Sequence, residues 1–472
     1  MMSVAELSHT LIIDIGKTHV KLLVLNSCYE AVHSTQMSNT PVLSDIYPCA
    51  DVSAIWKWLC SSITTITPKY SITKMTITTH GATAALIDKH NASPDGLVLP
   101  ILDYECTKPF DDSISYETDR PDFVDTFSPS LPGGLNLGRQ LYWLKESFPE
   151  AFANTTDILM YPQYWAWRFT GESVSEITSL GWHTDLWSIK DNTYSELVKQ
   201  LDCIDLFPKL KPAWHKVGDI KDDLCHQLGL PKGCEFFSGL HDSNASFLRY
   251  RIAQENKPFT VISTGTWTIL MASQVSLSNL KSDKDMLANI DAFGSPIACA
   301  RFMGGREFEA ICEQAGSWLG EQFNQNDIQN VINNEVFALP DFSDGSGPFG
   351  GAQSKLIGPV NEVSGIAIAT LYCALMIDYQ LDMLGAHGDV YIEGAFLKNP
   401  LLCSIVNSLR LNQEVMLSED STGTVLGAAY LTQWDTEKPI LTVSPATVIQ
   451  LEGLDEFKQK WRELTKSNEA VD

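Results

Sequence analysis

Two short segments of this chain repeat one pattern, a glycine-centred turn between two apolar runs. The residues read Ile-Asp-Ile-Gly-Lys-Thr at 13–18 and Ile-Ser-Thr-Gly-Thr-Trp at 262–267. Apolar and β-branched residues on both sides of each turn predict a β-hairpin. Such a turn can direct backbone N–H groups and hydroxyl groups at an anion. Its occurrence near the start of each half predicts two related domains that hold one phosphate chain, as in a nucleotide-dependent phosphotransferase.

The sequence Gly16-Lys17-Thr18 also matches the end of a phosphate-binding P-loop, and this alternative has to be tested. A P-loop needs a glycine at its start, where this chain has Leu11, and a helix directly after its last residue. Residues 20–25 are instead mostly β-branched or apolar, which favours a strand. The P-loop interpretation is therefore excluded, and the hairpin remains.

Chain length and pattern set the expected domain organisation. A chain of 472 residues is too long for one core and predicts two large domains or a few smaller ones. The polar segment 254–258 is the expected linker, which divides the chain into domains 1–253 and 254–472. Strand-like and helix-like patterns alternate in both halves, so the expected fold class is α/β.

Charge and cysteine usage narrow the class of protein. The net charge is −25, with 58 acidic and 33 basic residues, so we expect neither nucleic acid nor an anionic membrane as a partner. Eleven cysteines occur singly, which argues against a disulfide framework or a zinc site. The N-terminus lacks a signal-peptide pattern, and no stretch approaches the ~20 uninterrupted apolar residues of a spanning helix. We therefore expect a soluble, cytoplasmic protein.

Two aspartates are candidates for chemistry. Asp14 lies inside an apolar strand pattern, where a carboxylate is costly to bury unless it is paired or binds a metal. Beside a phosphate-binding turn it would hold Mg²⁺, mostly through water, although capping of a β-turn is an alternative. Asp242 lies at a predicted helix start, where it is either a helix cap or a base that accepts a proton from a substrate hydroxyl.

Further candidates would recognise the two substrates. Small residues at 394 and 395, between a predicted strand and helix, allow an adenine or ribose to approach the backbone, although a tight turn explains them equally well. Charged groups and an aromatic ring suited to a polyol occur around strand ends in the first half, at His80, Asp103, Glu105 and Trp165. Each of these alone could be structural.

The order of these motifs resembles that of the FGGY carbohydrate kinases, members of the superfamily of sugar kinases, heat-shock ATPases and actin. The resemblance extends over nearly the whole chain. The segments that carry it are similar to the first phosphate motif (14–18), the first signature helix (141–145), the Leu-Thr-Gly segment (164–171), the segment of the catalytic aspartate (239–242), the second phosphate motif (263–266), the adenosine motif (394–399) and the C-terminal helix (423–430).

This resemblance implies two ribonuclease H-like (actin-like ATPase) domains with an interdomain cleft. It also implies ATP-dependent, Mg²⁺-assisted phosphorylation of a small sugar or polyol. The resemblance does not decide whether the protein is a monomer or a homodimer. The first domain would bind the sugar and the second the nucleotide. Asp242 would be the catalytic base, and Asp14 would hold the metal. Nucleotide ligands would be Gly16, Lys17, Thr18, Thr264, Gly265, Thr266, Gly304, Gly305, Gly394, Ala395 and Asn399. Sugar ligands would be His80, Gly81, Asp103, Glu105, Trp165 and Asp242.

The chain also departs from the family pattern. Lys17 replaces the more usual Thr or Ser, and Ala395, preceded by Glu393, replaces a glycine of the adenosine motif, which indicates a divergent subgroup. Segments 79–83 and 102–105 are more similar to kinases of methylpentuloses or pentuloses than to glycerol kinases. L-Rhamnulose and L-fuculose are the leading expected substrates, followed by xylulose and ribulose.

Two other functions fit the same fold. A non-catalytic sugar-binding regulator would need neither Asp14 nor Asp242, and the chain has both. An actin-like or chaperone ATPase would need a surface for a protein partner or a polymer, and the sequence does not identify one. We therefore expect a carbohydrate kinase, with the regulator as the alternative.

Overall fold

The computed structural model describes residues 8–91, 93–107, 114–343, 345–418 and 423–469. The described residues form two compact units. The first unit comprises Met1–Ala253, Asn289–Pro296 and Thr422–Leu441. The second unit comprises Gln254–Ala288, Ile297–Ser421 and Thr442–Asp472.

The first half of the chain supplies a mixed sheet and the helices around it. Its strands are β1 (Ser8–Ile15), β2 (His19–Leu25), β3 (Ala31–Ser38), β4 (Val42–Leu43), β5 (Pro48–Cys49), β6 (Ser71–Thr79), β7 (Ala84–Ile87), β8 (Asp157–Met160), β9 (Trp187–Ser188), β10 (Thr193–Tyr194), β11 (Lys216–Asp219), β12 (Glu235–Phe237) and β13 (Leu240–His241). Its helices are α1 (Val52–Ile66), α2 (Ile114–Asp119), α3 (Phe123–Thr126), α4 (Leu137–Ser147), α5 (Pro149–Phe152), α6 (Tyr161–Thr170), α7 (Ile177–Leu180), α8 (Glu196–Gln200), α9 (Asp222–Leu228) and α10 (Asp242–Gln254).

The second half repeats the mixture of strands and helices. Its strands are β14 (Phe259–Thr264), β15 (Thr268–Ser273), β16 (Met286–Ile290), β17 (Pro296–Phe302), β18 (Phe337–Leu339), β19 (Lys355–Ile357), β20 (Asp389–Gly394), β21 (Val415–Ser418) and β22 (Ser444–Pro445). Its helices are α11 (Gly304–Gln314), α12 (Gln325–Asn333), α13 (Gly365–Leu384), α14 (Pro400–Leu409), α15 (Gly423–Tyr430) and α16 (Leu454–Glu469).

The two main sheets have the same topology. The first has the strand order β11-β12-β6-β1-β2-β3, with β13 also paired to β6, and the second has the order β16-β17-β15-β14-β20-β21-β22. In each sheet one hairpin (β1–β2 or β14–β15) extends into a third antiparallel strand. The other edge of each hairpin's first strand pairs in parallel with a later strand. This repeated arrangement confirms two ribonuclease H-like units of mixed α/β structure.

Helix α1 shows how local sequence sets an element of the first unit. The Asp51 side chain accepts a hydrogen bond from the Ala54 N–H at 2.9 Å and so caps the helix N-terminus. Ile55, Leu59 and Ile63 recur at helical spacing and lie fully buried in the core beneath the sheet. The apolar period therefore fixes which face of α1 is buried.

Helix α15 belongs to the first unit, although the sequence placed it in a domain 254–472. Val425 and Ala428 pack in one apolar cluster with Ile12 of β1 and Ala245 of α10. A Cβ at Gly427 would come within 1.7 Å of the Ala245 carbonyl oxygen, so a glycine is needed for this close helix contact. A single boundary after residue 253 therefore does not describe the two units.

Helix α13 is long and apolar, although the sequence was expected to contain no stretch that approaches a membrane-spanning helix. Residues Gly365–Leu384 are long and apolar enough to cross a membrane by length and composition, although 83% of that window is buried inside the protein. A core helix has the same properties, and Asp378 lies inside this one with no exposed surface. Its burial against the rest of the second unit accounts for its apolar composition.

Strand β7 has two neighbours. It pairs with β8 along its whole length, so that Ala84 lies opposite Met160. It also contacts the nearby segment 96–98, where the Val98 N–H donates to the Leu86 carbonyl oxygen at 2.9 Å and Leu97 forms an isolated antiparallel bridge to Ile87.

Candidate active site

The first predicted hairpin is present and ends in an outward-facing turn. Strands β1 and β2 pair with Asp14 opposite Lys21. Residues 16–18 connect the strands, and Asn39 Nδ2 donates a hydrogen bond to the Gly16 carbonyl oxygen at 2.7 Å. Thr18 is exposed. The Gly16 N–H donates to the His19 carbonyl oxygen at 2.9 Å, so the donors of this turn that an anion could reach are those of the exposed Thr18.

The register of the sheet brings Asp14 and Asp242 towards each other. Strands β1 and β13 lie on the two sides of β6, and both Asp14 and Leu240 are opposite Thr78. Because neighbouring strands are spaced by about 4.8 Å, the two outer strands are roughly 10 Å apart here. Asp242 follows β13 directly as the first residue of α10. The negative charge of Asp242 acts on Asp14.

These two carboxyl groups share an unfavourable environment. Burial raises the pKa of Asp14 to about 6, the charge of Asp242 adds to the shift, and Lys21, whose Nζ is 3.8 Å from Asp14 Oδ2, opposes it. Burial also raises the pKa of Asp242, although a third of that side chain is exposed. Burial therefore disfavours the charged forms of both carboxyl groups, the charge of Asp242 adds to this for Asp14, and a cation placed beside them would stabilise the charged forms.

His241 orients the carboxylate of Asp242. Its Nε2 lies 3.3 Å from Asp242 Oδ1, which also accepts the Ser243 N–H at 2.6 Å. Burial lowers the pKa of His241 to about 3, so the imidazole beside Asp242 is neutral. The ring lies against Trp182, with centroids 4.1 Å apart. A Cβ at Gly81 would come within 2.7 Å of Nε2, so this geometry requires a glycine there.

A buried glutamate and a threonine form a hydrogen-bonded chain to the backbone of His241. The His241 backbone N–H donates to Thr178 Oγ1 at 3.0 Å, and that hydroxyl donates to Glu176 Oε2 at 2.6 Å. Burial raises the pKa of Glu176 to about 7. The segment that carries the candidate base is therefore fixed through its backbone as well as through its side chain.

His80 faces the same group of residues. It follows β6, and its ring centroid lies 5.4 Å from that of Tyr104 in an edge-on arrangement. Burial lowers the pKa of His80, and the charge of Asp242 opposes this shift. His80 and Asp242 are therefore close enough for their charges to interact, as the sequence predicts for residues of one site.

Lys17 lies with the predicted sugar ligands. Its Nζ forms an ion pair with Asp103, lies 3.3 Å from Glu105 Oε2, and is 4.5 Å from the centroid of the Tyr104 ring. The structure thus joins a residue predicted to hold phosphate to two residues predicted to hold a sugar. Its cationic charge is already balanced by these carboxylates.

Trp165 is not part of this group, and its predicted role as a platform for a sugar is wrong. Its side chain is fully buried in the core of the first unit and stacks on Trp56 at a centroid distance of 6.4 Å. Every ring face is therefore covered by protein. The aromatic side chains that do border the candidate base are Trp182 and, through His80, Tyr104.

The second unit contains the second predicted hairpin. Strands β14 and β15 are antiparallel, and the turn between them leaves Thr266 exposed and Gly265 half-buried. The start of α11 packs directly on this turn. A Cβ at Gly305 would come within 2.4 Å of the Gly265 carbonyl oxygen, and one at Gly304 within 2.3 Å of Thr268 Oγ1. The two glycines therefore permit this close packing beside an accessible turn.

The adenosine-like motif lies next to the same turn. Gly394 has a φ of 91°, and a Cβ there would come within 2.1 Å of the Thr264 carbonyl oxygen. Thr264 Oγ1 donates to the Glu393 carbonyl oxygen at 2.6 Å and accepts the Phe396 N–H at 2.9 Å. The hydroxyl of Thr264 thus fixes the motif, and Ala395 is exposed beside it.

Asn399 acts as a helix cap. Its Oδ1 accepts the Leu402 N–H at 3.2 Å at the start of α14, and its Nδ2 donates to Thr370 Oγ1 at 2.8 Å. Both ends of the amide are therefore engaged within the second unit. A direct contact of Asn399 with a nucleotide stays a prediction.

Comparison with protein families matches both halves of the chain. Residues 9–248 match the N-terminal domain of the FGGY family of carbohydrate kinases, and residues 256–439 match the FGGY carbohydrate kinase C-terminal domain. The chain belongs to the FGGY carbohydrate kinases.

Relatives of this FGGY kinase include solved and curated proteins. A carbohydrate kinase from Novosphingobium aromaticivorans is 30% identical, with a TM-score of 0.89 over 97% of this chain and 98% of that one. L-Fuculokinase from Salmonella typhi is 27% identical over 60% of each chain. Rhamnulokinase from Ligilactobacillus salivarius is 29% identical over 28% of this chain and 27% of its own length. The chain thus spans less than two thirds of these curated relatives.

Several residues of the candidate site were missed from the sequence. Lys21 could have been found, because the hairpin register places it opposite Asp14. His241 adjoins the predicted base and was not assigned a role. Trp182 and Thr178 lie in a segment without clear periodicity, and only the three-dimensional fold brings them to Asp242.

Replacing Asp14 by asparagine in this FGGY kinase is expected to raise the unfolding temperature near pH 8 and to change it little near pH 4. The pKa of Asp14 rises from 3.8 to about 6 on folding, so the folded state binds this proton more tightly than the unfolded state does. Wild-type stability therefore falls as pH increases between those values, by roughly 3 kcal/mol, and the variant avoids this loss. The measurement is thermal unfolding by circular dichroism in EDTA without nucleotide.

An exposed aspartate serves as the control for this series. Asp222 has 70% of its side chain exposed, and Asp222→Asn should leave the pH dependence of stability unchanged. A destabilised Asp14→Asn variant near pH 8 would contradict the expectation, because it would mean that the pair with Lys21 outweighs the cost of burial.

Proposed function

We propose that this FGGY kinase transfers the γ-phosphoryl group of ATP to a hydroxyl of a ketose or polyol. The preferred substrate class is a methylpentulose such as L-rhamnulose or L-fuculose, followed by the pentuloses xylulose and ribulose. The names of the L-fuculokinase and rhamnulokinase relatives support this class. The segments at 79–83 and 102–105 point to it independently.

The observation that carries the proposal is the environment of Asp242. The Ser243 N–H and hydroxyl both donate to Oδ1, at 2.6 and 3.3 Å, and fix the orientation of the carboxylate, while His241 Nε2 lies 3.3 Å from the same oxygen. A third of the side chain is exposed, so a substrate hydroxyl has access to it. The raised pKa makes the carboxylate a better proton acceptor than an ordinary aspartate. A carboxylate that served only to cap α10 would need none of these features.

In the proposed reaction Asp242 accepts the proton of the attacking hydroxyl. The hydroxyl oxygen forms a bond to the γ-phosphorus, the bond from that phosphorus to the bridging oxygen breaks, and ADP leaves with the bonding electron pair. We assign the proton to Asp242 Oδ2, because Oδ1 is engaged by His241 and Ser243. The products are the sugar phosphate and ADP.

The residues present fit a magnesium nucleotide. Asp14 would hold Mg²⁺ through water, since burial and the negative charge of Asp242 both raise the pKa of its carboxyl group and a cation would offset both effects. The ion would neutralise charge on the phosphates. Among the described residues no three His, Cys, Asp or Glu side chains group to hold a metal, as expected for an ion that keeps most of its water. In the second unit the exposed Thr266 would contact phosphate, since the Gly265 N–H already donates to the Trp267 carbonyl oxygen at 2.8 Å. The surface beside Gly394 and Ala395 would accept adenosine.

An ADP-release assay over a panel of sugars tests the proposal. The panel contains L-rhamnulose, L-fuculose, D- and L-xylulose, D- and L-ribulose and glycerol, each with ATP and Mg²⁺. We expect ADP release with at least one ketose and none without sugar. Sugar binding by calorimetry with no ADP release would instead support the non-catalytic regulator. Absence of both binding and turnover over the whole panel would reject the proposed substrate class.

A further inference from the structure

The ammonium group of Lys17 is enclosed by one short segment, Asp103-Tyr104-Glu105. It forms ion pairs with the carboxylates at both ends of this segment and lies over the aromatic ring between them. Only 22% of the Lys17 side chain is exposed, and Asp103 is 9% exposed. The cation therefore contacts all three residues of the segment from a partly desolvated position.

This arrangement fixes the conformation of segment 103–105. Asp103 and Glu105 carry like charges two positions apart, and the lysine between them offsets their repulsion. Asp103 Oδ1 also accepts the Glu105 N–H at 3.1 Å, and the Tyr104 carbonyl oxygen accepts the Gly134 N–H at 2.9 Å. The ammonium is the group that joins the side chains of the segment to one another.

The segment in turn borders the candidate base. The Tyr104 ring lies edge-on to His80, and the charges of Asp242, Glu105 and Asp103 all act on the Tyr104 hydroxyl. A displacement of residues 103–105 would therefore alter the surroundings of both His80 and Asp242. The phosphates, by contrast, would be repelled by two carboxylates placed beside Lys17.

We propose that Lys17 is a positioning residue for the sugar subsite, which it forms by holding Asp103, Tyr104 and Glu105 in place, and that it is not a ligand of the nucleotide phosphates. This inference rests on the proposed kinase function. The sugar hydroxyls would then contact the outer carboxylate oxygens and the Tyr104 ring, while phosphate contacts in this turn would come from backbone N–H groups and from Thr18. The lysine at a position where the family more usually has Thr or Ser thus contributes to sugar recognition.

Separate measurements for the two substrates test this inference. Lys17→Met keeps the length of the side chain and removes its charge, and we expect KM for the best ketose to rise roughly tenfold, equivalent to about 1.4 kcal/mol. Sugar affinity measured by calorimetry without ATP should weaken by the same factor. KM for ATP should stay within about twofold of the wild-type value. Lys17→Arg should restore part of the sugar affinity, because it restores the charge.

A double-mutant cycle identifies the partner. Asp103→Asn should weaken sugar binding, and the double variant Lys17→Met/Asp103→Asn should be much less impaired than the sum of the single variants. Lys232→Met is the matched control, since Lys232 is 85% exposed and pairs only with an exposed aspartate. A rise in KM for ATP with unchanged sugar affinity would overturn the inference in favour of a phosphate ligand. Unchanged kinetics for both substrates would overturn it in favour of a purely structural ion pair.

The failure of this inference can be distinguished from failure of the proposed function. The wild-type enzyme decides the function, because it either phosphorylates a ketose or does not. The Lys17 variants test the inference, because the change in KM for the sugar is compared with the change in KM for ATP. Circular dichroism on each variant, with an unfolding temperature within a few degrees of wild type, confirms that folding is intact.

Discussion

Asp242→Asn is expected to lower kcat by roughly 10²–10⁴-fold, the range usually lost with a general base. Asparagine keeps the shape of the side chain and can still accept the hydrogen bonds from Ser243. It cannot accept the proton of the sugar hydroxyl. We expect the dissociation constant of the sugar, measured by calorimetry, to change by less than about threefold, because the loss concerns the transition state.

The same variant should also be more stable than wild type at neutral pH. Removing the charge of Asp242 removes one cause of the raised pKa of Asp14. The unfavourable electrostatic interaction between the two positions is then lost. A combined loss of turnover and gain of stability is the signature of a strained active-site group, and a merely structural residue would not give it. Asp222→Asn, at an exposed position, should change neither property. A kcat within tenfold of wild type would remove Asp242 from its proposed role.

The elements with local signals were predictable from the sequence. Both hairpins follow from short apolar runs around a glycine, and their formation needs contacts between residues only a few positions apart. Asp242 was identified because a strand pattern, a glycine and a helix start surround it. Its environment of Trp182 and Thr178 was not predictable, because these residues come from a distant segment without periodicity.

Trp165 shows why residue type alone is a weak guide to a binding site. Aromatic side chains pack in hydrophobic cores and also bind sugars, and the residue type does not distinguish the two uses. Trp165 lies in α6, most of whose residues are buried, and its ring is enclosed by the core. Lys17 illustrates the complementary difficulty. Its position predicts a phosphate ligand, while its partners Asp103 and Glu105 lie far along the chain and are visible only in the fold.

Asp378→Asn is expected to destabilise the second unit by about 3–5 kcal/mol, the usual cost of removing one partner from a buried ion cluster. The Asp378 carboxylate has no exposed surface and binds Arg410 Nη1 at 3.2 Å, Lys458 Nζ at 2.9 Å and Arg462 Nη2 at 2.6 Å. It joins α13 to the end of α14 and to α16. Without its charge, three cations that are less than a third exposed would face one another, and among the described ion pairs Asp382 balances the two arginines but not Lys458.

Asp382 provides the matched control for this prediction. It contacts the same two arginines at 2.5 and 2.7 Å, but 43% of its side chain is exposed, so solvent screens the pair. Asp382→Asn should therefore cost less than about 1 kcal/mol. For a unit of this size the expected difference between the variants is roughly 10 °C in unfolding temperature, measurable by differential scanning calorimetry. Equal effects of the two substitutions would show that burial does not set the strength of this cluster, and that packing of α16 through its aromatic side chains determines the stability instead.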